Sequence, residues 1–135
     1  MSQLVLTNTR VTINSVDLTS FVTSVTLDMS VDEVETTAFG SAARTRIGGL
    51  QDHSVTIEFQ QSYAAAAVEA TLYPLLGSTT SIVLLPNGTT AGTTNPRFTF
   101  SALVTDWQPI SGAVGDLASA SVTWPISGTI TKAFT

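Results

Sequence analysis

Two segments near the middle of the chain alternate strictly between apolar and polar residues. The apolar positions are Val25, Leu27, Met29 and Val31 in the first segment and Val55, Ile57 and Phe59 in the second. A period of two is typical of β-strands that bury one side. The opposite side is acidic and rich in hydroxyl groups in both segments. The pattern therefore predicts a pair of strands within residues 24–61, with one buried face and one face in water.

Residues 33–50 separate these segments and are rich in alanine, glycine and arginine. A loop of this length inside a compact domain usually has a function or lacks fixed structure. It contains Arg44 and Arg46, two of the five cations of an acidic chain. Two interpretations follow: a mobile, solvated loop, or an extension whose arginines dock on an acidic surface of a neighbouring copy.

Further strands are expected on both sides of this central region. Residues 10–14 form a short strand that ends at an Asn14-Ser15 turn, and residues 16–22 form either a second short strand or a bend. Alternation or apolar content predicts strands at 81–85, 97–105 and 118–127, with Pro125 marking an edge or bulge position. The remaining ends are interpreted as an N-terminal arm, residues 1–9, and a C-terminal tail, residues 128–135.

One helix is predicted, from about Tyr63 to Leu76. Ser62 is its candidate N-cap, and four alanines at 64–67 favour the helical conformation. Pro74 is expected to end or kink the helix near Tyr73. Its apolar stripe comprises Val68, Leu72, Leu75 and Leu76. The expected fold is thus mainly β, a barrel or sandwich of antiparallel strands with one flanking helix, in a single domain of 135 residues.

Composition narrows the classes of function. Charged residues make up only 11% of the chain, whereas 15 Ser and 23 Thr are present, so the exterior is largely hydroxylated and suits extensive protein contacts. A net charge of −5 disfavours a basic nucleic-acid-binding patch. The absence of cysteine excludes disulfides and thiolate metal sites. No segment has the pattern of a signal peptide or a membrane span.

The residues do not favour an enzyme. The one histidine, His53, falls on the apolar side of its strand, which indicates a packing role. A Ser-His-Asp triad is not excluded by spacing, because such triads assemble across a fold. Asp28, Asp32, Asp52 and Glu58 are candidates for a cation site or a glycosidase-like pair. However, residues four apart on a strand are about 13 Å apart. We therefore interpret them as a solvated acidic face and expect no catalytic residues, no metal and no cofactor.

The run from Val31 to Phe59 resembles the tail tube (major tail) proteins of long-tailed, siphovirus-type bacteriophages. The resemblance continues through Ala70–Gly77, Thr94–Phe98 and Gly115–Val122, and it covers most of the chain after Asp17. It implies a subunit of hexameric rings that stack into a hollow tube through which DNA leaves the capsid. It also implies that sheets from neighbouring subunits join into one β-barrel, and that the long loop reaches a neighbour.

This resemblance assigns roles to particular residues. The residues expected to face the channel are Asp28, Asp32, Asp52, Glu58, Ser119, Ser121 and Thr123. Those expected to contact a neighbouring subunit are Phe39, Arg44, Arg46 and Ile47, and the two termini are expected to form contacts between rings. The implied partners are other copies and other phage tail proteins, such as tape measure, terminator and distal tail proteins. DNA passes without specific binding, no membrane is involved, and the protein resides in the virion tail after assembly in the bacterial host cytoplasm.

Three alternatives stay open. A capsid decoration protein or another small tail structural protein shares a compact β-rich design. A β-sandwich carbohydrate-binding module would use Trp107 or Trp124 as a stacking platform. A hydrolase that depends on His53 is the third.

Overall fold

The computed structural model describes residues 8–63, 67–87, 91–93 and 95–134. The strands within these residues are β1 (Arg10–Ile13), β2 (Val16–Asp17), β3 (Val22–Asp28), β4 (Val31–Glu35), β5 (Arg46–Gln51), β6 (Ser54–Gln60), β7 (Thr79–Leu85), β8 (Arg97–Leu103) and β9 (Ser119–Ala133). The helices are α1 (Val68–Leu72) and two 3-10 helices, Thr19–Phe21 and Tyr73–Leu75.

Seven of these strands form one antiparallel sheet in the order β2-β1-β7-β8-β9-β6-β3. Strands β4 and β5 pair only with each other within the described part of the chain. The sheet curls so that residues from both of its ends pack into one apolar core. The mainly β, antiparallel fold predicted from the sequence is confirmed, with one short α-helix among the described residues.

The core follows the alternation of the strands that form the large sheet. Met29 and Val31, predicted on the buried side, are instead 60% and 52% exposed, because the chain leaves this sheet after Asp28. Val25, Ile57 and Val122 lie side by side across β3, β6 and β9, and Leu27, Val55 and Trp124 form the next row. The β6 and β9 members of both rows are buried. Within the segment predicted as a strand at 97–105, the alternating residues Phe100, Ala102 and Val104 are buried. The strands from distant parts of the sequence therefore share one inward face.

The first hairpin is explained by its turn. Asn14 and Ser15 both have positive φ, +50° and +67°, the backbone twist that suits a two-residue hairpin between β1 and β2. Leu18 is fully buried directly after β2. The two alternatives for residues 16–22 both occur, because a two-residue strand is followed by a 3-10 turn.

The helix is shorter than predicted. It begins at Val68, with Ala67 at the N-cap, and residues 64–66 lie outside the described residues. Pro74 ends the α-helix near Tyr73, as expected, and the chain continues as a 3-10 turn. Val68 and Leu72 are buried, but Leu76 is 51% exposed, so its assignment to the apolar stripe is wrong. The 3-10 turn rotates Leu76 away from the core.

Strand β9 is longer than predicted and changes partner along its length. Residues up to Pro125 pair with β6, and residues from Ile126 pair with β8. Pro125 lies where one partner gives way to the other, which is a position that tolerates a missing N–H. Residues 128–133 continue the strand to Ala133, so the predicted tail is mostly β-structure. Most of the predicted N-terminal arm, residues 1–7, lies outside the described residues.

The segment between the two central strands is also more regular than predicted. Strands β3 and β6 pair directly, with Asp28 opposite Ser54. Beyond them, β4 and β5 form a separate hairpin with a tip at residues 36–45. Every residue of both strands is exposed. We call residues 31–51 the arm.

Candidate functional site

The outward face of β3, β6 and the first half of β9 carries ordered rows of polar side chains. Three rows run across these strands: Ser24, Glu58 and Ser121; Thr26, Thr56 and Thr123; and Asp28, Ser54 and Pro125. The hydroxyl groups of Thr56 and Thr123 are 3.1 Å apart, within hydrogen-bond distance. This surface, which we call the polar face, is the water-exposed side of a sheet whose other side is core.

The polar face carries carboxylates and no cation among these strand residues. Five of the seven residues predicted for the channel lie on it: Asp28, Glu58, Ser119, Ser121 and Thr123. Asp32 lies instead in the arm, at a register shift of β4, and Asp52 lies in the connection between β5 and β6. The prediction therefore combined two separate surfaces. It omitted Ser24, Thr26 and Thr56, although the same alternation contains them.

The arm has a charged face and an apolar face. Arg44 forms an ion pair with Glu35 at 3.4 Å, and Arg46 forms one with Glu33. All four side chains remain substantially exposed, so each pair contributes little to stability. The two arginines predicted to contact a neighbour thus already have partners within their own arm.

The apolar side of the arm has no such partner in the described chain. Val34 lies opposite Ile47, and they are 45% and 59% exposed. Phe39, at the tip, is fully exposed. Val34 also leaves little room for a side chain at position 49, because a Cβ atom added to Gly49 would lie 3.0 Å from Val34 Cγ2. Phe39 and Ile47, both predicted as contact residues, are therefore apolar side chains that the single chain leaves in water.

His53 lies where the arm joins the sheet. Its ring is 2% exposed, and both ring nitrogens have partners. The Ser30 N–H donates to Nδ1 at 3.1 Å, and Nε2 is 2.8 Å from Gln51 Oε1. The Asp52 N–H donates to the Ser30 carbonyl, so the two connections between sheet and arm are tied together. The predicted packing role of His53 agrees with this geometry.

Among the strand edges without a partner in the described part of the molecule, the two longest belong to β3 and to the second half of β9. Strand β3 pairs only with β6, which leaves the other edge of Val22–Asp28 without a partner strand. The second half of β9 pairs only with β8, so residues 127–133 also expose one edge. Open edges can pair with strands of another chain.

The loop between β8 and β9 exposes a group of apolar residues that no sequence pattern indicated. Ile110, Val114 and Leu117 are 87%, 105% and 66% exposed, in the loop between β8 and β9. We call these three residues the crest. Their sequence signal is weak, because they are spaced irregularly between glycines and show no strand or helix period.

The described residues do not favour the alternatives that depend on a metal ion or a bound sugar. Within the described residues, no group of three or more His, Asp or Glu side chains is placed to hold a metal ion. Trp124 is fully buried and Trp107 is 8% exposed, so neither offers a platform for a sugar ring. The carbohydrate-binding alternative therefore loses its proposed residues. In the described part of the chain, no helix is both long and apolar enough to cross a membrane.

Comparisons with known proteins identify the fold. No protein-family model matches the chain, and no curated protein matches its sequence. A solved chain from the virion of a native gene transfer agent particle superposes with a TM-score of 0.78 at 12% identity, covering 96% of this chain and 98% of that one. A chain from the anti-feeding prophage baseplate, a six-fold symmetrised structure, gives 0.52 at 10% identity, covering 98% and 97%.

A chain from the tail of an empty gene transfer agent particle, a helically refined structure with C6 symmetry, gives a TM-score of 0.61 at 16% identity, covering 85% of this chain and 82% of that one. These neighbours are chains of virion, tail and baseplate structures. The chain thus has the fold of subunits of phage-like particles and tails, as its resemblance to tail tube proteins implied.

Proposed function

We propose that this chain is a structural virion protein whose copies form stacked hexameric rings, and that these rings make the hollow tail tube through which DNA passes during ejection. The observation that carries the proposal is the polar face. It combines hydroxyl groups with Asp28 and Glu58 and presents no lysine or arginine on the strands that form it.

Such a surface suits a channel for DNA. Phosphate groups bind to proteins chiefly through Lys and Arg, and each such contact releases counterions from the DNA. A wall of carboxylates and hydroxyls offers no such contact and repels the duplex at short range. DNA can therefore slide along it without being retained. Asp28, Glu58, Ser119, Ser121 and Thr123 form this wall in our proposal, whereas Asp32 and Asp52 lie near the arm.

The open edges support assembly into a closed ring. The free edge of β3 and the free edge of residues 127–133 are each seven residues long and lie on different parts of the sheet. Pairing β3 of one copy with the second half of β9 in the next would continue the sheet between subunits and remove both edges. The fold similarity to a chain from a C6 tail supports six copies.

The arm supports contact with a neighbour. Its strands bury no residue in the single chain, so its apolar face is left in water unless another molecule covers it. We propose that Phe39 and Ile47, together with Val34, supply the apolar part of this contact. Arg44 and Arg46, which pair with Glu35 and Glu33 within the arm, add charge at the rim of this contact. The partners are other copies and the tape measure, terminator and distal tail proteins, and the site of action is the virion tail, assembled in the host cytoplasm.

Negative-stain electron microscopy of the purified protein over a range of concentrations tests the proposal. We expect annuli or rods with an open centre. Compact closed oligomers without a channel would contradict it and would favour a capsid decoration protein. A double variant, Val34→Asp with Ile47→Asp, should abolish the rods. The matched control Leu76→Asp changes another exposed apolar residue outside the arm and should leave them intact.

A further inference from the structure

Hydrogen bonds anchor the two ends of the loop that carries the crest, although the apolar side chains of the crest are exposed. The Gln61 side chain donates to the carbonyls of Gln108 and Pro109, at 3.3 and 3.1 Å, and the Tyr63 hydroxyl also donates to Pro109. The Gln61 N–H donates to the Ala118 carbonyl at 2.9 Å, which fixes the other end of the loop. Ile110, Val114 and Leu117 thus project from a loop anchored at both ends, and such anchoring reduces the conformational freedom that is lost when a partner binds.

The crest and the arm lie at opposite ends of the same strand. The arm joins β6 at Ser54, beside His53. The crest loop joins β9 at Ser119, which lies opposite Gln60, the last residue of β6. Six residue steps along a strand span roughly 20 Å. The arm extends away from the sheet and therefore does not cover the crest of its own chain.

One pair of opposite charges is available between the two surfaces, although the arm also carries Asp32, Glu33 and Glu35. Asp116 is the only charged residue between Gln108 and Ala118, and it forms no ion pair among the described residues. The arm carries Arg44, whose side chain is 74% exposed and whose bond to Glu35 is long. An exposed pair of this kind contributes little and exchanges partners readily. Approach to a carboxylate on another chain would therefore require Arg44 only to exchange its weak pair with Glu35.

We infer that the crest is the docking site for the arm of a second copy, with Phe39 and the Val34–Ile47 face packed against Ile110, Val114 and Leu117, and Arg44 beside Asp116. A contact between opposite ends of two identical chains is heterologous, and repeated contacts of this kind generate rings or filaments and not closed pairs. The inference rests on the proposed self-assembly and names the surface that receives the arm.

Cross-linking between separate chains tests this inference, because the protein has no cysteine of its own. One variant carries Phe39→Cys and the other Val114→Cys, and they are mixed at assembling concentration and treated with a short bis-maleimide. Side chains in contact have effective concentrations near the millimolar range, so we expect about tenfold or more heterodimer relative to the control. The control mixes Phe39→Cys with Leu76→Cys, a similarly exposed position outside the crest.

The same samples are examined by electron microscopy, so that the two proposals fail separately. Rods without enriched heterodimer would overturn the docking site and leave the tube intact. Enriched heterodimer without rods or rings would support the docking site and contradict the tube. If neither rods nor enriched heterodimer is observed, both the docking site and the tube are contradicted. Exchange of the two charges gives a second measurement. Adding Asp116→Arg to the Val114→Cys variant should reduce its cross-linking to the Phe39→Cys variant. Adding Arg44→Asp to the Phe39→Cys variant should then restore the cross-linking.

Discussion

The backbone N–H of Ser30 donates a hydrogen bond to Nδ1 of His53 across the base of the arm, at 3.1 Å. Ser30 lies between β3 and β4, and His53 lies between β5 and β6, so this bond joins the two connections that lead into and out of the arm. Because Nδ1 accepts the Ser30 N–H, the Nε2 nitrogen carries a hydrogen and donates it to Gln51 Oε1. A buried side chain thus determines how the arm leaves the sheet.

Replacement of His53 by alanine should loosen the arm. The Ser30 N–H would lose its acceptor, which costs about 1–3 kcal/mol where water cannot replace it. We expect faster hydrogen exchange throughout residues 31–51 and a reduced yield of rods. His53→Asn is the matched control, since its Oδ1 can accept at the position of Nδ1 and should restore protection. Unchanged exchange in His53→Ala would show that the arm is held by its other contacts.

Trp124 should contribute to stability through both packing and one hydrogen bond. It is fully buried, and its Nε1–H donates to the Asp106 carbonyl at 2.7 Å. Trp124→Ala should lower the free energy of unfolding by about 3–5 kcal/mol. Trp124→Phe keeps most of the volume but leaves that carbonyl without its donor, and should cost about 1–3 kcal/mol. Urea denaturation measures the free energy of unfolding of both variants. Equal losses in the two would contradict the separation of the Trp124 contribution into packing and one hydrogen bond.

The 3-10 turn after β2 should lose stability in acid. Hydrogen bonds from the Thr19 hydroxyl hold the pKa of Asp17 below its ordinary value of 3.8, with smaller help from the Thr19 N–H and Arg10. A carboxylate with a lowered pKa stabilises the folded state above the unfolded pKa, and this contribution disappears as the pH falls through the folded pKa. The effect is small because Asp17 is exposed.

Unfolding measured from neutral pH to below 3.8 should therefore show a slightly steeper acid loss for the natural protein than for Asp17→Asn. The variant should be less stable at neutral pH, and the two curves should converge in acid. Parallel curves over the whole range would show that the carboxylate does not contribute.

Identical substitutions on two parts of the sheet test which surface faces the channel. Ser121 lies on the polar face, whereas Ser101 is an exposed outward residue of β8, opposite Ser127. Ser121→Lys should make assembled tubes retain short duplex DNA, with binding that weakens steeply as salt rises, because each ring would add lysines to the wall. Ser101→Lys should have no such effect in the same co-sedimentation measurement. If Ser101→Lys tubes retained DNA and Ser121→Lys tubes did not, the part of the sheet that contains β8 would face the channel instead.

The sequence by itself determined which side of each long strand is buried. Period-two alternation predicted the inward positions Val55, Ile57 and Phe59, the inward positions of β8 and β9, and the burial of His53, because strand geometry assigns sides residue by residue. Proline and turn chemistry correctly predicted the end of the helix near Tyr73 and the turn at Asn14 and Ser15. These features depend on residues that are close together in the sequence, so they can be predicted without the tertiary structure.

Only the tertiary structure decided how these pieces meet. Alternation cannot show that Glu58 lies between Ser24 and Ser121, since that depends on the pairing of strands separated by many residues. Nor can it separate Asp32 and Asp52 from the polar face, because the arm departs from the sheet at Ser30 and His53 through two hydrogen bonds. The crest has no periodic signal, and it becomes a surface only because Gln61 and Tyr63 anchor its loop. Local sequence specifies the side of a strand, whereas long-range pairing specifies its neighbours.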